Sequence, residues 1–155
     1  MILESHQKTS EKARGYSIYH DLSIAASPEA VFKAVSLPEH LVNWWPRRCN
    51  GTPSKGSTYN FYFTPEYDWY GEVSQCEPNT LFSIKMTRSD ADWDPTSFGF
   101  EIEESGDGVR LHFFHKDWPA CNAHFKTASF CWAMLLNGLK MYLEKGIILP
   151  FEERS

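Results

Sequence analysis

The stretch NAHFKTASFCWAMLLNGLKMYLEKG, Asn122 to Gly146, decides how the rest of the chain is read. Asn122 opens it, and Gly146 stands where a helix is commonly closed by a left-handed residue. Lys140 and Lys145 lie near the negative end of the helix dipole. The spacing predicts a helix of about six turns at 3.6 residues each. Ala128, Trp132, Leu135, Leu136, Leu139 and Leu143 form its main apolar stripe, and Phe130, Met134 and Met141 are expected to widen it. A helix with so broad an apolar surface has to be embraced by another element.

That element is legible upstream. Tyr16 to Ala25 alternates, with Ile18, His20, Leu22 and Ile24 on one face, as a half-buried strand does. Ser27-Pro28-Glu29 then supplies a capping hydroxyl, a proline at the first helical position and an acid suited to the dipole. Val31, Phe32 and Val35 give this short helix an apolar side. Pro38 ends it and opens a second one, whose last turn carries Leu41, Trp44 and Trp45. After a Gly/Pro/Ser-rich connection from Asn50 to Ser57, five alternating stretches follow: Thr58 to Thr64, Asp68 to Cys76, Leu81 to Arg88, Ser97 to Glu104 and Val109 to Lys116. Glu77-Pro78-Asn79 and Ser105-Gly106-Asp107-Gly108 suit tight antiparallel links, so the sheet reads as a meander. Asp90 to Pro95 is a polar loop containing Trp93, longer than a tight turn needs. Met1 to Gly15 is polar and aperiodic and is expected to be a flexible leader outside a single domain spanning residues 16–155.

The expected architecture is α+β: a six-stranded curved antiparallel sheet, with two short helices after the first strand, wrapped around a long C-terminal helix. This order, together with I-A-A-S-P-E-A-V-F from Ile24 to Phe32, L-P-E-H-L from Leu37 to Leu41, Trp44-Trp45-Pro46, Gly71-Glu72-Val73 and the segment Trp132 to Gly146, resembles the START-related (SRPBCC, pollen-allergen-like) helix-grip superfamily. The wording is closest to its branch related to activators of the heat-shock-protein-90 ATPase. The resemblance implies a cavity between sheet and long helix that often holds a lipophilic molecule, in a superfamily whose functions run from lipid transport to cyclases and co-chaperones. Fold therefore does not dictate function.

Composition narrows the partners. The 155 residues carry a net charge of −5, and no basic run exceeds Arg47-Arg48, which argues against nucleic acid and anionic membrane surfaces. The longest apolar run, Phe130 to Leu136, is too short to span a bilayer, and no signal-peptide core is evident, so a cytoplasmic location is expected. Cys49, Cys76, Cys121 and Cys131 are unevenly spaced without a C-x-x-C pair and read as reduced thiols. Exposed aromatics leave a homodimer open.

Read through the alternation, Tyr59, Phe61, Phe63, Trp69, Val73, Ile84, Met86, Phe98, Phe100, Ile102, Leu111 and Phe113 face the concave side. Most buried aromatics only pack, yet a cavity wall needs these same residue types. The candidate ligand-binding residues are Trp45, Tyr59, Phe61, Phe63, Trp69, Ile84, Met86, Phe98, Phe100 and Phe113, with Phe130 and Met134 from the helix. His20 and His115 are in register with the apolar face and offer directional polar contacts. His112, His115, Cys121 and His124 are close in sequence, but period two puts the first two on opposite faces, so no metal site is assigned. Glu72, Glu101 and Glu103 alternate outward, Glu66 and Asp68 flank the aromatic run at a cavity rim, and no nucleophile-elbow, P-loop or dinucleotide motif occurs. The function expected is non-catalytic binding of a small lipophilic or aromatic molecule without a cofactor. A cyclase-like or hydrolytic enzyme using the same cavity, and a co-chaperone-like protein-binding module, are the alternatives.

Overall fold

The computed structural model describes residues 15–155; the leader expected over residues 1–15 lies outside them except for Gly15. The elements in chain order are β1 (Tyr16–Ile24), α1 (Pro28–Ser36), α2 (Pro38–Leu41), β2 (Arg48–Asn50), β3 (Thr58–Thr64), β4 (Tyr67–Glu77), β5 (Leu81–Arg88), β6 (Ser97–Ser105), β7 (Gly108–Trp118) and α3 (Ala123–Lys145). A single 3-10 turn at Phe151–Glu153 follows α3. The helix-grip arrangement expected from the sequence is the observed one, with seven strands rather than six. The added strand, β2, pairs Cys49 with Phe61 at the sheet edge. Three residues are too short to display an alternating pattern, which is why this strand is hidden in the sequence.

The sheet order is β1-β7-β6-β5-β4-β3-β2, and all pairings are antiparallel. From β2 to β7 it is the expected meander. β1 instead pairs with β7, because α1 and α2 carry the chain from one edge of the arc to the other. Local chemistry sets the helix ends. Ser27 Oγ accepts from Ala30 N–H, Asn122 Oδ1 accepts from Phe125 N–H, and Gly146 closes α3 at φ 69°. At its C-terminal end α3 is tied to the first strand: Lys140 Nζ donates to Ser23 O at 2.5 Å, and the Glu144 carboxylate accepts from Ala25 N–H at 2.7 Å.

The buried side of α3 carries Ala128, Trp132, Leu135, Leu136, Gly138 and Leu139, with Leu143 partly buried. Phe130 and Met134 do not widen that side. They are 66 % and 41 % exposed, because at about 100° per residue Phe130 stands nearly opposite Trp132. Among the described residues no helix is long and apolar enough to cross a membrane.

Candidate functional site

The middle of the concave face is packed solid. Tyr59, Phe61, Ile84, Met86, Phe98, Phe100 and Phe113 are each at most 1 % exposed. Their rings interlock, with centroids 5.5 Å apart for Phe100 and Phe113 and 5.9 Å for Phe61 and Phe98. Trp132 of α3 closes over them 4.4 Å from Phe113. These side chains do what core aromatics ordinarily do, filling space at near-crystalline density.

Beside this core lies a buried polar relay. Trp132 Nε1–H donates to His115 Nδ1 at 3.0 Å. An indole nitrogen only donates, so Nδ1 is unprotonated and the proton sits on Nε2. That N–H donates to Thr96 Oγ1 at 2.9 Å, and the threonine hydroxyl donates in turn to Trp93 O at 2.6 Å. Burial pushes the His115 pKa down to about 3, so the ring is neutral, of one tautomer, and fully engaged. It is a structural connector between helix, sheet and the β5–β6 loop, with neither nitrogen free for a ligand.

The loop it holds was legible only as an oddity. Ser89 N–H and Oγ–H donate to the Asp94 carboxylate, and Trp93 N–H donates to Asp90 O, which curls the polar residues outward. Trp93 is thereby turned inward to 6 % exposure. A second irregularity acts in the same direction. Asp117, at φ 71°, makes a bulge in β7, so that Trp118 is buried on the same side as His115.

Where the arc ends near this loop, space remains. A pocket of about 170 Å³ has its floor on α3, formed by Ala128, Cys131, Trp132 and Leu135, a helical i, i+3, i+4, i+7 set. Trp45, Phe63, Trp69 and Trp93 wall it, and Ser155 lies on its lining. The five aromatic side chains form a closed circuit. Ring centroids are separated by 5.7 Å (Trp45–Phe63), 5.1 Å (Phe63–Trp69), 4.6 Å (Trp69–Trp93), 6.2 Å (Trp93–Trp132) and 4.9 Å (Trp132–Trp45). Among the described residues no charged side chain lines the pocket. The indole N–H of Trp93 is buried with no partner among the described residues, as is that of Trp118 outside the lining. Each is a donor whose desolvation is uncompensated by protein.

The walls are held from behind. Trp44 Nε1–H donates to Ala34 O at 2.9 Å, which clamps α1 to the turn after α2 and sets the adjoining Trp45. The C-terminal segment folds back to the same turn. Arg154 donates to the carbonyls of Leu149 at 3.0 Å and Val42 at 2.8 Å, with longer contacts to Trp45 and Pro46, and so brings Ser155 to the pocket.

Of the residues singled out from sequence, Trp45, Phe63 and Trp69 meet at this pocket. Tyr59, Phe61, Ile84, Met86, Phe98, Phe100, Phe113 and His115 form the packed interior beside it. His20 Nε2 lies 3.1 Å from Ser129 O, and the residue lines a separate groove between β1 and α3. Phe130 and Met134 point to solvent. Glu66 is exposed, while Asp68 accepts from Asn60 Nδ2 at 2.6 Å. His112 faces outward between Asp21 (2.8 Å) and Glu103 (2.9 Å), and His124 meets Asp92 at 3.2 Å, so the histidines close in sequence diverge in space. Sequence reasoning placed Ala128, Trp132 and Leu135 on the apolar stripe of α3 without assigning them to a binding site, and missed Trp93, Cys131 and Ser155 at the pocket altogether. The excess length of the Asp90–Pro95 loop was the available signal for Trp93; nothing local marks the other two.

The profile of the family described as activator of Hsp90 ATPase homolog 1-like protein matches residues 25–144. The chain belongs to that family. The match runs from the end of β1 to the last turn of α3 and so takes in the whole aromatic circuit. Among solved structures, the Aha1 dimer from Colwellia psychrerythraea is 26 % identical, with a TM-score of 0.78 over 84 % of this chain and 98 % of that one. A protein from Staphylococcus saprophyticus (20 % identity, TM-score 0.73, 86 % and 96 % covered) shares the fold. So does one from Mesorhizobium loti (19 % identity, TM-score 0.73, 83 % and 96 % covered). No curated protein matches the chain. Family membership accounts for the helix grip and leaves the chemistry to the pocket.

Proposed function

We propose that the protein binds a small lipophilic molecule, without transforming it, in the pocket between α3 and the walls Trp45, Phe63, Trp69 and Trp93. The single observation that carries this reading is the roughly 170 Å³ of largely apolar-walled space left at the end of an otherwise tightly packed sheet-and-helix interior. A cavity of about 150 Å³ suffices for a benzene-sized guest, so the occupant is one compact group or the head of a longer molecule.

The lining also favours binding over turnover. Neither carboxylate expected at the rim lines the pocket: Glu66 is exposed and Asp68 is held by Asn60, while His115 is engaged in its relay. General acid-base catalysis needs a titratable group within hydrogen-bonding reach of the substrate. Among the described residues the pocket's side chains supply aromatic rings, one thiol and one serine hydroxyl instead.

The test is a titration with toluene and with 3,3-dimethyl-1-butanol, followed by the indole N–H resonances of the uniformly ¹⁵N-labelled protein. Saturable shifts are expected for at least one titrant, and Cys131→Phe, which projects a ring from the pocket floor, should abolish them while the thermal transition is kept. Shifts that grow linearly without saturation, or that survive in Cys131→Phe, would remove this pocket as the binding site.

A further inference from the structure

Resting on the reading of this pocket as a binding site, we infer that its preferred guest is a small quaternary or trimethylated ammonium compound. The argument begins with the walls. Four indoles and one phenyl ring enclose the space, and tryptophan is the aromatic side chain whose face attracts a cation most strongly. The faces are negative and the edges positive, so a cation is held where it meets the faces of these rings rather than their rims.

The inclination of the rings decides between a flat and a rounded guest. A flat aromatic guest is held best between two near-parallel faces, and with a contact gap of about 3.5–4 Å on each side it needs them at least about 7 Å apart. Among neighbouring rings of the circuit the nearest to parallel, Trp93 and Trp132 at 22°, have centroids 6.2 Å apart and leave no slot between them. The other neighbouring pairs are inclined at 43° to 62°. Inclined walls suit a compact, nearly spherical group that touches several faces at once, and a trimethylammonium head has that shape and about the bulk of a benzene ring.

Charge agrees with shape. A primary ammonium would keep N–H donors that need acceptors, and among the described residues no Asp or Glu side chain lines the pocket to accept them; a methylated ammonium has no such donors and is weakly hydrated. Among the described residues no basic side chain lines the pocket. The Arg154 guanidinium is directed to the carbonyls of Leu149 and Val42 and lies outside the lining. A net charge of −5 over the whole chain favours the approach of a cation.

Choline and 3,3-dimethyl-1-butanol, its neutral carbon isostere, separate charge recognition from burial of apolar surface. At constant ionic strength, choline chloride is expected to bind at least tenfold more tightly than the isostere, read from the same indole resonances. Trp69→Leu should reduce that preference to less than threefold; Trp69 is only partly buried, and Phe63→Leu serves in its place if the melting transition of the first variant is lost. Equal or tighter binding of the neutral isostere would overturn the cation inference and leave the apolar pocket standing. Saturable binding of neither compound, nor of toluene, would overturn both. A preference for choline that persists undiminished in the aromatic variants would place its recognition outside this circuit and refute the inference as well.

Discussion

The His115 relay makes the stability of the fold depend on pH in a direction that can be worked out. In the unfolded chain the imidazole titrates near 6.5. In the folded chain burial lowers its pKa to about 3, and protonation of Nδ1 would also eject the Trp132 N–H. Below pH 6.5 the unfolded state therefore takes up a proton that the folded state refuses, and stability falls at about 1.4 kcal/mol per pH unit until the folded value is approached. Between pH 7 and pH 5 the loss from this residue is about 2 kcal/mol. His112 acts in the opposite sense. Hydrogen bonds to Glu103 and then Asp21 raise its pKa, so its contribution is complete below pH 6.5 and lost as pH rises through the raised value. Replacing it by Gln removes that opposing trend. The assay is urea unfolding of His112→Gln and of His112→Gln/His115→Phe at pH 7, 6 and 5. The double variant is expected to be less stable at pH 7, because it strands the Trp132 donor, yet its stability should fall by about 2 kcal/mol less than that of the single variant between pH 7 and 5. All other titrations are common to the two proteins and cancel. Parallel pH profiles would show that His115 is not held neutral, and the relay as described would be wrong.

Two further outcomes follow from burial. Trp132→Ala empties a site that is 1 % exposed and contacts both the core and the pocket, so a loss of about 3–5 kcal/mol is expected by chemical denaturation; a loss under about 1 kcal/mol would contradict that packing. Removing residues 1–14, which precede the first strand, should leave the thermal transition unchanged, because the polar, aperiodic leader is expected to add nothing to the core. A large drop on truncation would assign the leader a structural role.

Elements with long, regular patterns could be read without coordinates. The length of α3, its Asn122 and Gly146 ends, the proline-opened α1 and α2, and the strands β3 to β7 all follow from local signals that repeat over several residues. Even the concave face was largely correct, because alternation along a strand leaves a side chain only two choices. Where a pattern lasted three residues, as in β2, it gave nothing to read. Where one bulged residue broke the alternation, as at Asp117, the inward turn of Trp118 could not be foreseen.

The candidate site shows the sharper division. Trp45 could be chosen from sequence because it closes the apolar segment expected as the last turn of the second short helix, although that helix ends at Leu41 and Trp45 stands in the turn after it. Phe63 and Trp69 could be chosen because strand alternation places them on the inner side. That same logic chose Phe98, Phe100 and Phe113, which fill the core. Whether an inward aromatic packs or lines open space depends on the volumes of neighbours supplied by distant parts of the chain, and volume carries no local signature. Trp93 is brought in by a curled loop, Cys131 by the rotation of α3 against the sheet, and Ser155 by an arginine that binds carbonyls more than a hundred residues earlier. By itself the sequence determined the grip, since periodicity and caps are properties of neighbouring residues. The closing of five rings into a circuit, and the space inside it, came only with the tertiary structure, because they depend on how segments far apart in the chain meet.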